Sequence, residues 1–353
     1  MSRSIFSILI LSIIVSTFIV ASSYHWFTIW IGLEMNTLSV LPLFCYQFTP
    51  RSVESTIKYF LIQAFSAAII LNVVLINVWF FSNWSIGSNL NNFSSFLLSL
   101  GISLKLGLFP CHYWLPDVMQ GINFLQGLLL STWQKIIPFI ILINVVINLN
   151  NLLIGIISMM SVLVGGWGGL NQTQVRKILA YSSISHIGWI CSVVIYSKVL
   201  SIIMIIVYII LNSGIFLMSN MLGLFSLGNL SRLIYYNFWI GLLLLLGVLS
   251  LGGLPPLGGF LNKFLALQCL INNNVFFISV GLIIGSLFSL FFYLRISFNS
   301  ILRLFPQHFF SLFVWRSIKF FEQNLSVKII NLSILLSISV LGLFFFCILI
   351  SFF

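Results

Sequence analysis

Apolar runs of about twenty residues, the length at which a helix crosses a bilayer core, follow one another along this 353-residue chain with only short polar interruptions. With 60% of residues hydrophobic and 5% charged, no stretch keeps enough polar surface to solvate a globule. Hydrocarbon offers the backbone no hydrogen-bond partner, so runs of this length must satisfy their own amides as helices. The expected fold class is therefore all-α, a polytopic membrane protein with about eleven transmembrane helices.

Hydropathy and helix breakers place the spans near residues 4–22, 25–45, 57–81, 94–116, 122–147, 149–169, 174–196, 199–225, 237–270, 274–298 and 330–352. The first is read as a retained helix and not a signal peptide, because its apolar run exceeds an h-region and another span follows at once. On this division Arg3, Arg51, Lys58, Arg176, Lys177, Arg232, Arg295, Arg303, Arg316, Lys319 and Lys328 gather on the side of the N-terminus. Only Lys198 lies opposite. That bias puts the N-terminus on the cytoplasm-like side and, with an odd number of spans, the C-terminus on the other.

Two spans are not ordinary helices. The fourth, SLGISLKLGLFPCHYWLP, is interrupted by Gly101, Gly107, Pro110 and Pro116. The ninth, LSLGGLPPLGGFLNK, carries Gly252, Gly253, Pro255, Pro256, Gly258 and Gly259. A continuous helix over 237–270 would be about 50 Å long against a core of about 30 Å, so a broken helix is expected. Breaks five spans apart imply two five-helix repeats, inverted because five is odd, within a single transmembrane domain over 1–353. The repeats fall at about 1–147 and 149–298, followed by a loop at about 299–329 and a terminal helix at about 330–353. The loop mixes Arg303, His308, Arg316 and Lys319 with Phe and Trp, the pattern of a helix lying on the membrane surface. A plain solvated loop is the alternative.

Against this apolar background, Glu34, Lys105 and Lys135 stand near the middles of their spans. An ionised group there costs at least about 2.5–3.5 kcal/mol on insertion scales, so such residues are usually retained for a function. Lys135 lies roughly 18 Å from either end of its span at helical rise, too far for its stem to reach the interface. Glu34 and Lys105 are expected to belong together, since a carboxylate within a few ångströms stabilises a buried ammonium. The bland alternative is a static salt bridge between helices two and four. Lys263 follows the second break, where a half-helix end beside an amine suits a proton terminus. An interfacial lysine fits that position equally well. His112, His186 and Lys177 rank second: imidazole relays protons near neutral pH, but a lone histidine bonded to a carbonyl is as good a reading. Together these residues form a candidate proton or ion path.

Other chemistries lack their residues. The net charge of +11 comes from single basic residues that punctuate apolar runs, unlike the patch that nucleic acid requires. Cys45, Cys111, Cys191, Cys269 and Cys347 show no CxxC spacing, which argues against an iron–sulfur site, a zinc site or a disulfide framework. No dinucleotide fingerprint or P-loop is present. No metal or cofactor is expected in this chain.

Four segments carry a resemblance. LNQTQVRKILAYSSISHIGW (Leu170 to Trp189), LLLSTWQKIIP, GLEMNTLSVLP and GLPPLGGF resemble the NADH–ubiquinone oxidoreductase chain 2 family of respiratory complex I, over nearly the whole length. The resemblance implies an antiporter-like fold of inverted five-helix repeats. It makes Glu34 the acid of a Glu–Lys pair, Lys105 its partner on the first broken helix, Lys135 the central lysine and Lys263 the lysine of the second broken helix. His186 falls in the family's S-H-x-G-W stretch. Where the family often has Pro before the last lysine, this chain has Asn262. The implied activity is proton translocation as a subunit of NADH:ubiquinone oxidoreductase. NADH, FMN, iron–sulfur clusters and ubiquinone would be bound by partner subunits. The implied setting is the mitochondrial inner membrane, among other membrane-arm subunits and lipids, with the N-terminus on the matrix side and the C-terminus on the intermembrane-space side. A stand-alone cation/proton antiporter shares the same charged residues and stays open. So does a scaffold whose charges only pack helices.

Overall fold

The computed structural model describes residues 3–228, 238–255 and 257–301. The expected terminal helix, the surface loop beyond Ile301, Arg232, Pro256 and Cys347 lie outside them. The described residues are helical nearly throughout. Eight helical stretches among them, counting Phe124–Asn148 as one, are long and apolar enough to cross a membrane.

Helices α1 (Arg3–Ser22), α2 (Trp26–Phe44) and α3 (Pro50–Phe81) open the chain. The outer face of α1 exposes Ile8, Leu11 and Phe18, an apolar surface suited to lipid. α3 starts earlier than its expected beginning at 57. Thr49 and Ser52 close a reciprocal capping box around Pro50, and the extra turns carry Arg51 and Glu54.

The fourth span is broken as expected. α4 (Asn92–Leu106) ends on Gly107 at φ 73, a left-handed conformation that glycine adopts without a side-chain penalty. Leu108 N donates to Ser103 O at 2.9 Å and Gly107 N to Leu104 O at 3.2 Å, the paired bonds of a Schellman ending. Trp114 Nε1 donates to the same Leu104 carbonyl at 3.1 Å, where α5 (Trp114–Gly121) begins. The ninth span repeats the device. α11 (Phe238–Gly252) ends on Gly253 at φ 79, and α12 (Gly258–Asn272) resumes the crossing.

The fifth span departs from expectation, for it too is interrupted. α6 (Phe124–Ser131) and α7 (Trp133–Val145) meet at Thr132, whose torsions of φ −112 and ψ −72 lie off the helix. α8 (Asn151–Leu170), α9 (Val175–Val194), α10 (Lys198–Met221) and α13 (Phe276–Ile301) are continuous, with ends within a few residues of those expected. α8 is sandwiched between α9 and α13. A Cβ on Gly188 would press on the Ser158 carbonyl, and one on Gly166 on the Gly285 carbonyl. Small residues allow this backbone approach, which substitutes in lipid for a hydrophobic driving force.

The tightest such place is in the second break, where a Cβ on Gly259 would collide with the Ser250 carbonyl. Gly259→Ala is therefore expected to cost about 1–3 kcal/mol, read as a lower thermal midpoint in mild detergent. Gly87→Ala, with nothing within 4 Å of the added carbon, should leave the midpoint unchanged.

Candidate functional site

All three intramembrane lysines end on a main-chain carbonyl. Lys105, in the last turn of α4 and 4% exposed, donates from Nζ to Gln63 O of α3 at 3.5 Å. Lys135, near the start of α7 and 2% exposed, donates to Ser183 O of α9 at 3.2 Å. Its ammonium also stands 5.6 Å from the centre of the Tyr208 ring, within cation–π range. Lys263 of α12 donates to Gly252 O at 2.8 Å. There it caps the C-terminal end of α11, where the helix dipole favours a cation.

Glu34 sits half-buried on α2, and its Oε2 accepts from Thr37 Oγ1 at 3.4 Å. It is near enough to act on Lys105 electrostatically. The two do not form a salt bridge. Among the described residues the ion pairs are Lys58–Glu54 at 2.7 Å and Lys58–Asp117 at 3.9 Å. The expected pair is thus within electrostatic reach and unbonded.

Polar side chains fill the intervals between the charges. Gln134, the residue before Lys135, faces Asn36, two residues after Glu34. Asn36 Nδ2 donates to Gln134 Oε1 at 2.6 Å, and Gln134 Nε2 returns a bond to Asn36 Oδ1 at 3.3 Å. Tyr59 OH donates to the same Gln134 oxygen at 3.2 Å. On the other side of Lys135, Tyr208 OH donates to Ser131 O at 2.9 Å, the carbonyl just before the Thr132 interruption, and accepts from Asn212 Nδ2 at 3.2 Å. The Tyr208 ring lies 5.6 Å from that of His186, whose Nε2 meets Tyr293 OH at 3.3 Å. His186 is within electrostatic reach of both Lys135 and Lys263. A cavity of about 20 Å³, measured as room for the centre of a water molecule, is lined by His186, Tyr208, Asn262 and Lys263 among others. It is large enough for one water. Asn262 Oδ1 is buried there without a hydrogen-bond partner among the described residues.

The remaining expected residues stand apart from this line. His112 is buried in the break of the fourth span, with Nδ1 3.1 Å from Pro110 O and its ring against Tyr113. Lys177 is half-buried in the first turn of α9. Arg51, Glu54, Lys58, Asp117 and Gln120 line a polar pocket of about 250 Å³ where α3 begins and α5 ends. Among the described residues no three of His, Cys, Asp and Glu come together as metal ligands.

Charge alone singles out Glu34 and the lysines. It passes over Asn36, Tyr59, Gln134, Tyr208, Asn212 and Tyr293. Their signal was present: a carboxamide or phenol in the middle of an apolar span also needs a partner inside the protein.

Buried amines strung through a bundle with two glycine-terminated broken spans define an antiporter-like membrane protein. Comparison with known proteins agrees. Residues 23–289 match the family model described as "NADH:quinone oxidoreductase/Mrp antiporter, TM". The chain is 60% identical to the NADH-ubiquinone oxidoreductase chain 2 of Pisaster ochraceus, over 97% of each chain. It is 57% identical to that of Patiria pectinifera, again over 97% of each. It is similar in fold to a chain of respiratory complex I from Thermus thermophilus, with a TM-score of 0.82 at 24% identity over 97% of this chain and 79% of that one. It is also similar to a chain of the Mrp complex from Dietzia sp. DQ12-45-1b, with a TM-score of 0.77 at 17% identity over 82% and 59%. The chain belongs to the NADH–ubiquinone oxidoreductase chain 2 family, as a multi-pass, antiporter-like membrane protein.

Tyr208→Phe keeps the ring beside Lys135 but strips the Ser131 carbonyl of its donor and Asn212 of its acceptor. The expected loss is about 1–3 kcal/mol, the cost of leaving a buried polar group unpaired, measured as a lowered thermal midpoint of the purified protein.

Proposed function

We propose that this chain translocates protons as a membrane-arm subunit of an NADH:ubiquinone oxidoreductase in the mitochondrial inner membrane. The N-terminus lies on the matrix side and the C-terminus on the intermembrane-space side, as the basic residues suggest. The chain takes part in the enzyme's turnover without a redox centre of its own. NADH, FMN, iron–sulfur clusters and ubiquinone belong to partner subunits, and lipids and other membrane-arm subunits cover its apolar faces. Residues of about 1–147 and 149–298 act as the two inverted halves.

The observation that carries this reading is the line of buried and half-buried polar groups that runs from Glu34 and Lys105, through Lys135, to Tyr208, His186 and Lys263. Its parts divide the work. Lys105, Lys135 and Lys263 hold protons. Glu34, by closing on Lys105 or withdrawing, changes how readily that amine keeps its proton. Two ammonium groups about 10 Å apart at an effective dielectric near 20 oppose one another by roughly 1.7 kcal/mol. That shifts a protonation ratio more than tenfold, so neighbouring amines are coupled without touching. His186, between Lys135 and Lys263, and a water in the cavity beside Asn262 supply the short transfers that the amines cannot span. The polar pocket around Arg51, Glu54, Lys58 and Asp117 suits proton uptake from the side of the N-terminus. His112 and Lys177 hold second rank in this path.

A stand-alone cation/proton antiporter would use the same residues, and partner requirement separates the two. On a native gel of gently solubilised inner membranes, the chain is expected to co-migrate with the large band that oxidises NADH. Its confinement to a small inactive band would favour the antiporter. Within the assembled enzyme, Lys135→Met is expected to lower the protons moved per NADH oxidised. A normal ratio in that variant would sink the relay.

A further inference from the structure

Lys135 rides on a segment loosened at both ends. Thr132 interrupts the helix before it. Pro138, one turn on, has no N–H to donate to the Gln134 carbonyl. Between these points two side chains tie the segment to its neighbours. Lys135 reaches α9, and Gln134 reaches α2 and α3.

The Gln134 ties lead back to both members of the open acid–amine pair. Asn36 is two residues from Glu34 on the same helix, so a rotation or tilt of α2 that moves the carboxylate also moves the carboxamide. Tyr59 is one turn from Gln63 on α3, and the Gln63 carbonyl is what holds the Lys105 ammonium. Gln134 Oε1 serves both helices at once, accepting from Asn36 at 2.6 Å and from Tyr59 at 3.2 Å. Asn36 is 4% exposed and Tyr59 1% exposed, while Gln134 itself is half-buried, so water does not readily replace the carboxamide as their partner. Breaking such a partly buried bond shifts an equilibrium by up to about tenfold. The carboxamide therefore follows its partners when they move, and carries the Lys135 segment with it.

We propose that Gln134 is a positioning residue that conveys the state of the Glu34–Lys105 pair to Lys135, through the amide pair with Asn36 and the hydroxyl of Tyr59. This rests on the proton-relay reading above and adds a mechanical coupling to the electrostatic one. Coupling by charge alone requires only that the amines stay close. Coupling through Gln134 requires an amide that both donates and accepts.

The test measures protons moved per NADH oxidised in inner-membrane vesicles containing the assembled enzyme. Gln134→Met and Asn36→Leu keep length and bulk but lose the amide pair. Each is expected to lose as much of the ratio as Lys135→Met, measured alongside. The exchange variant, with Asn36→Gln and Gln134→Asn together, rebuilds an amide pair of the same summed length and is expected to restore the ratio. A purely packing role would not give that rescue, so a loss that the exchange fails to restore overturns the proposal. A normal ratio in Gln134→Met and Asn36→Leu beside a lowered one in Lys135→Met overturns this inference and leaves the relay standing. A normal ratio in Lys135→Met removes both. Where either single variant does not assemble, Tyr59→Phe, which deletes one hydroxyl, takes its place, and an unchanged ratio there counts against the proposal in the same way.

Discussion

In hydrocarbon a polar group has only the protein to bond with, and the arrangement of this bundle follows from that constraint. Most buried hydroxyls meet it locally. Ser158, Ser161, Ser182, Ser183, Ser185 and Ser192 each donate to a carbonyl three residues back on their own helix. They make the interior polar without tying helices together. The groups too long or too charged to fold back on their own turn, namely the lysines, Gln134, Asn36, Tyr59, Tyr208 and His186, must reach across to another helix or lie against one that does. Many of the cross-helix bonds therefore fall on the candidate path, while others, such as Gln126 to the Leu43 carbonyl and Arg295 to the Leu170 carbonyl, tie the bundle elsewhere.

The same constraint explains the three interruptions. Ending a helix inside the membrane strands its last carbonyls, and each interruption is paired with donors that answer this. Gly107 and Leu108 bond back to α4 and the Trp114 indole joins them. Lys263 serves the end of α11. Tyr208 serves Ser131 where α6 stops. At two of these places the donor is a candidate path residue, so backbone irregularity and the proposed proton path share the same atoms.

How much of this was legible in the sequence varies with the physics of each part. The spans were readable because hydropathy and bilayer thickness leave little freedom. The two large breaks were readable because left-handed turns select glycine and Pro110 and Pro255 stop helices. The earlier start of α3 does not show in hydropathy because Arg51 and Glu54 fall outside the apolar run, although Thr49 and Pro50 are ordinary helix-start residues. The interruption at Thr132 could not be read locally. Neither Ser131 nor Thr132 demands non-helical torsions, and the bond that accommodates them comes from Tyr208, seventy-seven positions away. In the site, Glu34 and the lysines declare themselves through the cost of burying charge. The openness of the Glu34–Lys105 pair did not, since the carbonyl that holds Lys105 is a main-chain atom without a sequence signature.

The lysine anchors have one further consequence. A salt bridge disappears when either partner becomes neutral, so an amine held by an acid must change its bonds whenever it changes its charge. Lys105, Lys135 and Lys263 are held instead by the carbonyls of Gln63, Ser183 and Gly252. A neutral amine still has N–H groups, and a peptide carbonyl accepts from either form. Each nitrogen can therefore gain or lose a proton while remaining where it is. A change of charge at an amine does not by itself oblige that amine to leave its carbonyl.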